Sequence, residues 1–241
     1  MKHKEGQSFV IDTSFDFRSD ANGKDPDHAS PTLRSYHQVL WSRPLPSGSV
    51  FELTTTRDGE YLYHRSDLGE FFLSSDSVIP TYEYYVRLQH IIERLDPGEV
   101  ESFIALGYTM GGMMIFPSNK IGGGWTINQA RGCMSSTIGD RMDLTLECIR
   151  RHYLGQASPM SEVLARYRTF FDLFRDFGGY VEFFFLQDLA RGEDSSVKTF
   201  LPFDNFESPA IPTSVAMYRA YREQTMDFIH ARNRRIGALG L

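Results

Sequence analysis

The sequence contains few residues that could form disulfides or hold a metal. Only two of its 241 residues are cysteine, Cys133 and Cys148, and neither lies in a CxxC or Cys/His ligand spacing. The seven histidines are scattered, with no HxH or HxxxH pair. We therefore expect two reduced thiols with structural roles and no metal site.

A long apolar run is also missing. No window approaches the roughly eighteen uninterrupted apolar residues of a membrane span. The first residues, MKHKEGQSF, are polar where a signal peptide would have its apolar stretch. Both absences favour a cytoplasmic protein without membrane contact.

Basic residues are outnumbered by acidic ones. The sequence has 25 Lys and Arg against 31 Asp and Glu, a net charge of −6 and a pI near 5.6. Broad electrostatic binding of nucleic acid is therefore disfavoured. Glu223 and Asp227 interrupt the one C-terminal run of basic side chains, which consists of Arg219, Arg222, Arg232, Arg234 and Arg235.

The glycine-rich stretch 107–132 lacks the spacing of a phosphate-binding loop. Gly107 and Gly112 have the four-residue gap of a P-loop, but Met113 and Met114 stand where Lys and Ser or Thr should follow. GxGxxG is absent as well. The glycines are therefore interpreted as tight turns, including a hairpin tip near 119–124. No GxSxG, HExxH, EF-hand or RNP1 motif occurs in the sequence.

The sequence does contain ample material for a core. Hydrophobic residues make up 41% of it and aromatics 14%, enough for one globular domain over 1–241. Residues 18–30, RSDANGKDPDHAS, have almost no apolar side chains and many turn formers. They predict a flexible polar loop near 18–31.

Hydrophobic periodicity predicts a mixture of helices and strands. Helical spacing predicts helices at about 33–40, 81–95, 138–153, 161–177 and 213–235. Strand-like patterns occur at 51–56, 61–64, 70–75, 102–110, 113–117, 122–130 and 178–189, with Asp58-Gly59 as a hairpin signal. Because strands and helices do not alternate strictly, we expect an α+β fold with a mostly antiparallel sheet packed against several helices.

Charged residues form a stripe on the predicted helix at 138–153. Asp143, Glu147, Arg150 and Arg151 lie between two apolar patches, so the stripe is less easily solvated than one that faces open water. Two interpretations remain. Glu147 pairs structurally with the arginines three and four residues later, or the carboxylates serve as catalytic groups beside anion-binding arginines.

Two further charges occupy apolar surroundings in the predicted elements. Arg232 projects near the centre of the buried stripe of the last helix, where it should snorkel to the surface or meet an anion. Glu182 lies in the predicted strand YVEFFFLQDL, both of whose faces look buried. Gln187 and Asp188 follow at the end of that strand, where functional groups could be presented.

Asn128 and Arg131 precede a predicted helix start near Ser135 to Asp140. Free N–H groups at a helix start, together with a nearby arginine, can bind an anion. The serines and Asp140 could equally be helix caps.

Several long strings resemble a known family. They are SPTLRSYHQVLWSRPLPSG, GGMMIFPSN, TINQARG, IGDRMDLTLECIRRHY, GGYVEFFFLQDL and FIHARNRRI. They are similar to uncharacterised bacterial proteins that share a domain of unknown function. The resemblance spans most of the chain and implies a bacterial, cytoplasmic protein. It implies no catalytic residue, substrate or cofactor.

Two functions are compatible with these observations. The first is an enzyme or small-molecule binder with a pocket for a phosphorylated or carboxylated ligand. Its catalytic candidates are Asp143, Glu147 and Glu182, and its ligand-binding candidates are Asn128, Arg131, Arg150, Arg151, Gln187, Asp188 and Arg232. The alternative is a protein-interaction module of a bacterial regulatory or defence system, with exposed aromatics and arginines that each pair with an acidic neighbour.

Overall fold

The computed structural model describes residues 11–49, 53–55, 62–66, 69–133, 138–191 and 196–240. Short helical turns occur at Val86–Leu88, Met110–Gly112 and Ala238–Gly240. The α-helices are α1 (Pro26–Ala29), α2 (Pro31–Trp41), α3 (Gln89–Ile92), α4 (Pro97–Gly107), α5 (Ile127–Cys133), α6 (Met142–Tyr153), α7 (Ser161–Arg166), α8 (Arg168–Asp172), α9 (Phe177–Phe183) and α10 (Val215–Gly237).

The strands form two antiparallel sheets. Four strands pair in chain order, with Leu53 opposite His64 and Ser75 opposite Ile115. They are β1 (Leu53–Thr55), β2 (Leu62–Ser66), β3 (Gly69–Ser77) and β4 (Met113–Pro117); β5 (Ala190–Arg191) and β6 (Ser196–Val197) form a second pair. Helices and antiparallel strands together confirm the α+β prediction. The predicted turn at Asp58-Gly59 lies outside the described residues.

Three predicted helices are present as α2, α6 and α10. The Ser30 side chain accepts from the Leu33 N–H to cap α2, and Ser214 caps α10 in the same way. The third helix, α6, begins at Met142, four residues later than predicted. In α2 and α10, the apolar stripe that predicted the helix lies in the core, whereas in α6 the core buries all of Met142–Ile149.

The helix predicted over 81–95 is wrong for most of its length. Only a helical turn at Val86–Leu88 and the short α3 form there. Tyr82 has a positive φ of 62°, which interrupts any regular helix. Tyr84 and Val86 are each 86% exposed, so Tyr84 does not belong to the buried stripe that the pattern predicted.

The strand predicted over 102–110 is also wrong, because residues 102–107 belong to α4 and a short helical turn begins at Met110. Asp96 accepts a hydrogen bond from the Gly98 N–H, and Pro97 occupies the first helical position. Asp-Pro-Gly therefore begins this helix, although we interpreted it as the stop of the preceding one.

Three more predicted elements need correction. The strand predicted over 122–130 is wrong, because residues 122–126 form a turn and a loop and α5 begins at Ile127. The helix predicted over 161–177 is divided into α7 and α8. The strand predicted over 178–189 is wrong, because its first half, 178–183, belongs to α9. The Asp176 side chain caps this helix by accepting a hydrogen bond from the Gly179 N–H. Glu182 therefore lies on an exposed position of a helix and not inside a sheet.

Buried apolar residues from Ile11 to Ile236 form one cluster. The prediction of one domain over 1–241 with a flexible loop stays a prediction. In residues 18–31, the structure shows turns, α1 and two buried residues, Ala21 and Ser30. Across the described ranges, every helix is too short or too polar to span a bilayer.

Candidate functional site

A buried arginine joins two half-exposed carboxylates. Arg131 of α5 is fully buried, and its two terminal nitrogens donate to Asp76 of β3 and to Asp140, just before α6. The two aspartate side chains are 48% and 44% exposed. A buried guanidinium is tolerated here because both of its terminal nitrogens meet a negative charge.

The larger of two adjoining cavities, which we name the polar cavity, lies between the 17–33 segment and β3. Its volume of about 600 Å³ is within the usual range of small-molecule pockets. Phe17, Leu33 and Tyr108 supply apolar walls. The polar lining consists of Arg18, Lys24, Asp25, Asp27, Ser74, Ser75, Asp76 and Asn128.

Asp27 is the most perturbed acid of the polar cavity. Its side chain is 12% exposed, and its Oδ2 accepts from the Ser75 N–H at 2.8 Å. Its Oδ1 is buried and has no hydrogen-bond donor among the described residues. Burial outweighs the hydrogen bonds and raises the pKa of Asp27 to about 6.

Behind this acid lies a buried histidine. His37 Nε2 is 2.7 Å from Ser75 Oγ and 3.8 Å from Asp27 Oδ1. Burial lowers the pKa of His37 to about 3, so the ring is neutral at pH 7. Its Nδ1 has no partner in the described part of the chain. A serine nucleophile needs a base that a third group orients, so these three residues do not form a catalytic triad.

Asn128 and Asp76 face the same cavity. The Asn128 Oδ1 atom is buried and, within the described ranges, accepts no hydrogen bond. Burial raises the pKa of Asp76, and Asp140 adds to that rise, while Arg131 opposes it.

The Arg18 guanidinium carbon lies 3.6 Å from the centre of the Tyr108 ring, and the same guanidinium pairs with Asp16.

A second cavity, the tyrosine cavity, has a volume of about 240 Å³. It shares Asp76 and Tyr108 with the polar cavity. The Tyr82 and Tyr85 rings have centroids 5.1 Å apart and planes at 75°. Its aromatic and acidic lining consists of Asp76, Tyr82, Glu83, Tyr84, Tyr85, Tyr108 and Asp140. Burial and the nearby Asp140 raise the pKa of Tyr85.

Helix α10 fixes one wall of the tyrosine cavity. The hydroxyl of Tyr218 donates to the Thr81 carbonyl oxygen at 2.9 Å, and that of Tyr221 donates to the Pro80 carbonyl oxygen at 2.9 Å. Both acceptors belong to cavity-lining residues. The conformation of the 80–82 segment therefore depends on a helix more than 130 residues away in sequence.

The carboxylates predicted on α6 are engaged in ion pairs. Asp143 is fully buried and accepts from the Arg141 Nε at 3.0 Å and from the Phe200 N–H at 2.8 Å. Glu147 accepts from the Nε atoms of Arg150 and Arg151, each at 2.7 Å. Burial opposes ionisation of Glu147, but the two arginines outweigh it and lower the pKa of this carboxyl. The structural interpretation of this stripe thus matches the geometry.

Arg232 is buried, as the apolar stripe suggested, but it does not snorkel, and it pairs with no carboxylate of the described residues. Its Nε donates to the Phe184 carbonyl oxygen at 3.0 Å, and its Nη1 donates to the carbonyl oxygens of Gly111 and Met113. Burial lowers the pKa of Arg232. The guanidinium connects α10 to α9 and β4.

The remaining predicted residues lie apart from both cavities. Glu182 and Gln187 are exposed, and Asp188 pairs with Arg235. Of the ten candidates, only two lie at the cavities. Asn128 lines the polar cavity, and Arg131 lies behind the lining residues Asp76 and Asp140. Among the described residues, no group of three His, Cys, Asp or Glu side chains could hold a metal ion.

Comparison with known proteins places the chain in a family. A family model described as a family of unknown function, DUF6994, matches residues 11–236. The chain belongs to this family. No curated protein and no solved structure gives a significant match.

Two cavity acids with raised pKa values, Asp27 and Asp76, were missed by the sequence analysis. Asp27 lies in the 18–31 segment that we expected to be a solvated loop. Asp76 follows two serines just beyond the predicted end of a strand, and that strand continues to Ser77. Ser75 and Ser77 flank Asp76, so its immediate neighbours in the sequence contained no apolar signal that could have found it.

Proposed function

We propose that the protein binds a small organic molecule that presents an amino group to Asp27 and Asp76 in the polar cavity. The supporting observation is that the Oδ1 atoms of Asp27 and Asn128 are buried and, within the described residues, accept no hydrogen bond. An unpaired buried acceptor costs about 1–3 kcal/mol. An ammonium group carries three N–H donors and would satisfy acceptors of this kind.

The charge of the cavities favours a cation over the anion expected from sequence. Five carboxylates line the two cavities, against the two cations Arg18 and Lys24. Asp16 already pairs with Arg18. The arginines predicted to bind an anion are paired with carboxylates or carbonyl oxygens.

Binding of an ammonium group should depend on pH. A cation beside Asp27 favours the ionised carboxylate, whose pKa in the free protein is about 6. Below that pH, binding must release a proton, so affinity should fall by up to about tenfold per pH unit. Above it, affinity should level off.

A thermal-shift screen tests the proposal. Wild type is heated with alkylamines, amino alcohols, phosphorylated compounds and simple carboxylates. A ligand at 100 times its dissociation constant adds about 2.7 kcal/mol of stability and raises the midpoint. We expect amines to raise the midpoint of wild type and not of Asp27→Asn. Asp96→Asn changes a carboxylate that caps α4 away from both cavities and should respond as wild type does.

A response to phosphorylated or carboxylated compounds alone would instead support the anionic ligand predicted from sequence. A response to amines that Asp27→Asn leaves intact would move the site away from the polar cavity. Either result contradicts the proposal.

A second candidate function is the protein-interaction module. Tyr84 and Val86 are each 86% exposed and are neighbours of the 38% exposed Tyr85. Exposed aromatic clusters are frequent in protein interfaces. If this surface binds a partner, Tyr84→Ser with Val86→Ser should abolish capture of that partner. Leu154→Ser, which changes another exposed apolar residue, should retain it.

We also propose a cytoplasmic location, in a bacterial cell as the sequence resemblance implies. The described free thiol, Cys148, is buried, and burial raises its pKa to about 12. A protonated, inaccessible thiol is typical of a reduced structural cysteine. Protection of Cys148 from alkylation in the folded protein checks its inaccessibility, and fractionation of the source cell checks the location.

A further inference from the structure

We infer that the ligand carries two cationic groups, one for each cavity, as a linear diamine does. This inference rests on the proposed function, because it requires the first amino group to bind at Asp27. It adds a second subsite, the tyrosine cavity, and a chemical class of ligand, the α,ω-diamines and their longer relatives.

The two cavities share a wall. Asp76 and Tyr108 line both cavities. The Asp76 side chain is 48% exposed, so it reaches the surface between the two spaces. A methylene chain lying across Asp76 would keep its apolar stem against the Tyr108 ring while its ends enter opposite cavities.

The lining of the tyrosine cavity suits an ammonium group. Four tyrosines supply aromatic faces, and the rings of Tyr82 and Tyr85 stand nearly perpendicular. Aromatic faces attract cations, and the attraction is stronger where water is excluded. The Tyr108 ring already carries the Arg18 guanidinium at 3.6 Å, so Tyr82, Tyr84 and Tyr85 are the tyrosines of this cavity that a ligand cation would contact.

Negative charge at the tyrosine cavity exceeds positive charge. Asp76, Glu83 and Asp140 line it, and no Lys or Arg is among its lining residues. Arg131 stands behind Asp76 and Asp140 and neutralises only part of their charge. A ligand cation would supply the missing positive charge without displacing Arg131. Glu83 belongs to this cavity alone, so it separates the two subsites experimentally.

The test is a calorimetric titration with α,ω-diamines of three to eight methylenes and with n-alkylamines of the same lengths. We expect the diamine affinity to peak at one chain length and to exceed that of the matched monoamine by at least tenfold. Glu83→Gln should reduce diamines to the monoamine level and leave monoamines unchanged. Asp27→Asn should weaken both series.

The outcomes separate this inference from the proposed function. If monoamines bind through Asp27 but diamines gain nothing at any length, the second subsite is wrong and the first stands. An affinity that rises steadily with chain length in both series indicates apolar burial and also overturns the second subsite. If no amine binds, both proposals fall. The unfolding midpoints of Glu83→Gln and Asp27→Asn, measured without ligand, confirm that each variant is folded.

A blocked lysine tests whether the bound cation is a free diamine or a lysine side chain of another protein. An acetylated, amidated single lysine and free 1,5-diaminopentane present similar amines, but only the diamine has one at each end. The inference requires the diamine to bind more tightly. Equal or tighter binding of the blocked lysine would overturn it and favour a protein side chain as the occupant.

Discussion

The backbone N–H of Gly111 donates a hydrogen bond to the Oδ1 atom of Asn233 at 2.7 Å. The amide nitrogen of Asn233 in turn donates to Thr109 Oγ1 at 2.8 Å. Helix α10 thereby lies directly against the backbone of Met110–Gly112. The glycines in this part of the 107–132 stretch serve the approach of a helix and not the binding of a phosphate.

Gly111→Ala should destabilise the protein. A Cβ at this position would lie 2.6 Å from the Ile229 carbonyl oxygen and 2.9 Å from Asn233 Oδ1. Overpacking of this kind costs about 1–3 kcal/mol. Gly237→Ala is the matched control, because its Cβ would meet only ordinary contacts at 3.6 Å or more. Urea denaturation should show a lower midpoint for the first variant and no loss for the second.

Arg232→Met should reduce stability by about 2–4 kcal/mol, because it leaves buried carbonyl oxygens without their donor. Arg235→Met removes a guanidinium from the same helix, but its pair with Asp188 is partly exposed. Such a pair contributes about 0–1 kcal/mol. Guanidinium denaturation of the two variants provides the comparison. Equal losses would show that the carbonyl contacts of Arg232 contribute little.

Asp143→Asn should affect stability and not ligand binding. The variant leaves the buried Arg141 guanidinium without its charge partner, which typically costs about 3–5 kcal/mol. Asp172→Asn breaks an exposed pair with Arg168 and should cost less than about 1 kcal/mol. If Asp143→Asn remained stable yet lost ligand binding, the catalytic or binding role predicted from sequence would be restored.

The buried acid Asp27 should give the protein a specific pH dependence. Its folded pKa of about 6 lies above the ordinary value of 3.8, so folding favours the protonated form. The corresponding stability is present below about pH 4 and is lost as the pH rises through about 6. The loss is on the order of 3 kcal/mol.

Urea denaturation between pH 4 and pH 7 checks this expectation. Asp27→Asn mimics the protonated acid, so it should match wild type near pH 4 and exceed it near pH 7. A constant difference between the two proteins across this range would show that Asp27 titrates normally.

Periodicity predicted those elements that have one buried and one solvated face. α2 and α10 follow this rule, whereas α6 was predicted from its apolar stripe although the eight residues Met142–Ile149 are all buried. It failed for α9, because Val181, Phe183 and Phe184 are all buried around one short helix. A continuous apolar run is compatible with a buried strand or a buried helix, and only the Asp176 cap distinguished them.

The site was harder to predict than the fold. Asn128 and Arg131 were predicted to bind an anion before a helix start, and the structure places both residues in α5. Ser135 and Ser136 of that predicted helix start lie outside the described residues. Asp27 becomes unusual only when α1 packs against Ser75, 48 residues away. Such a perturbation arises from tertiary burial, which local composition does not encode.

The hydroxyl bonds of Tyr218 and Tyr221 have a consequence for synthesis on the ribosome. Residues 80–82 leave the exit tunnel long before α10, because 137 residues separate Thr81 from Tyr218. Until α10 emerges, the Pro80 and Thr81 carbonyl oxygens have only water to bind. A nascent chain released before Val215 would thus carry every lining residue of both cavities and still lack a finished tyrosine cavity.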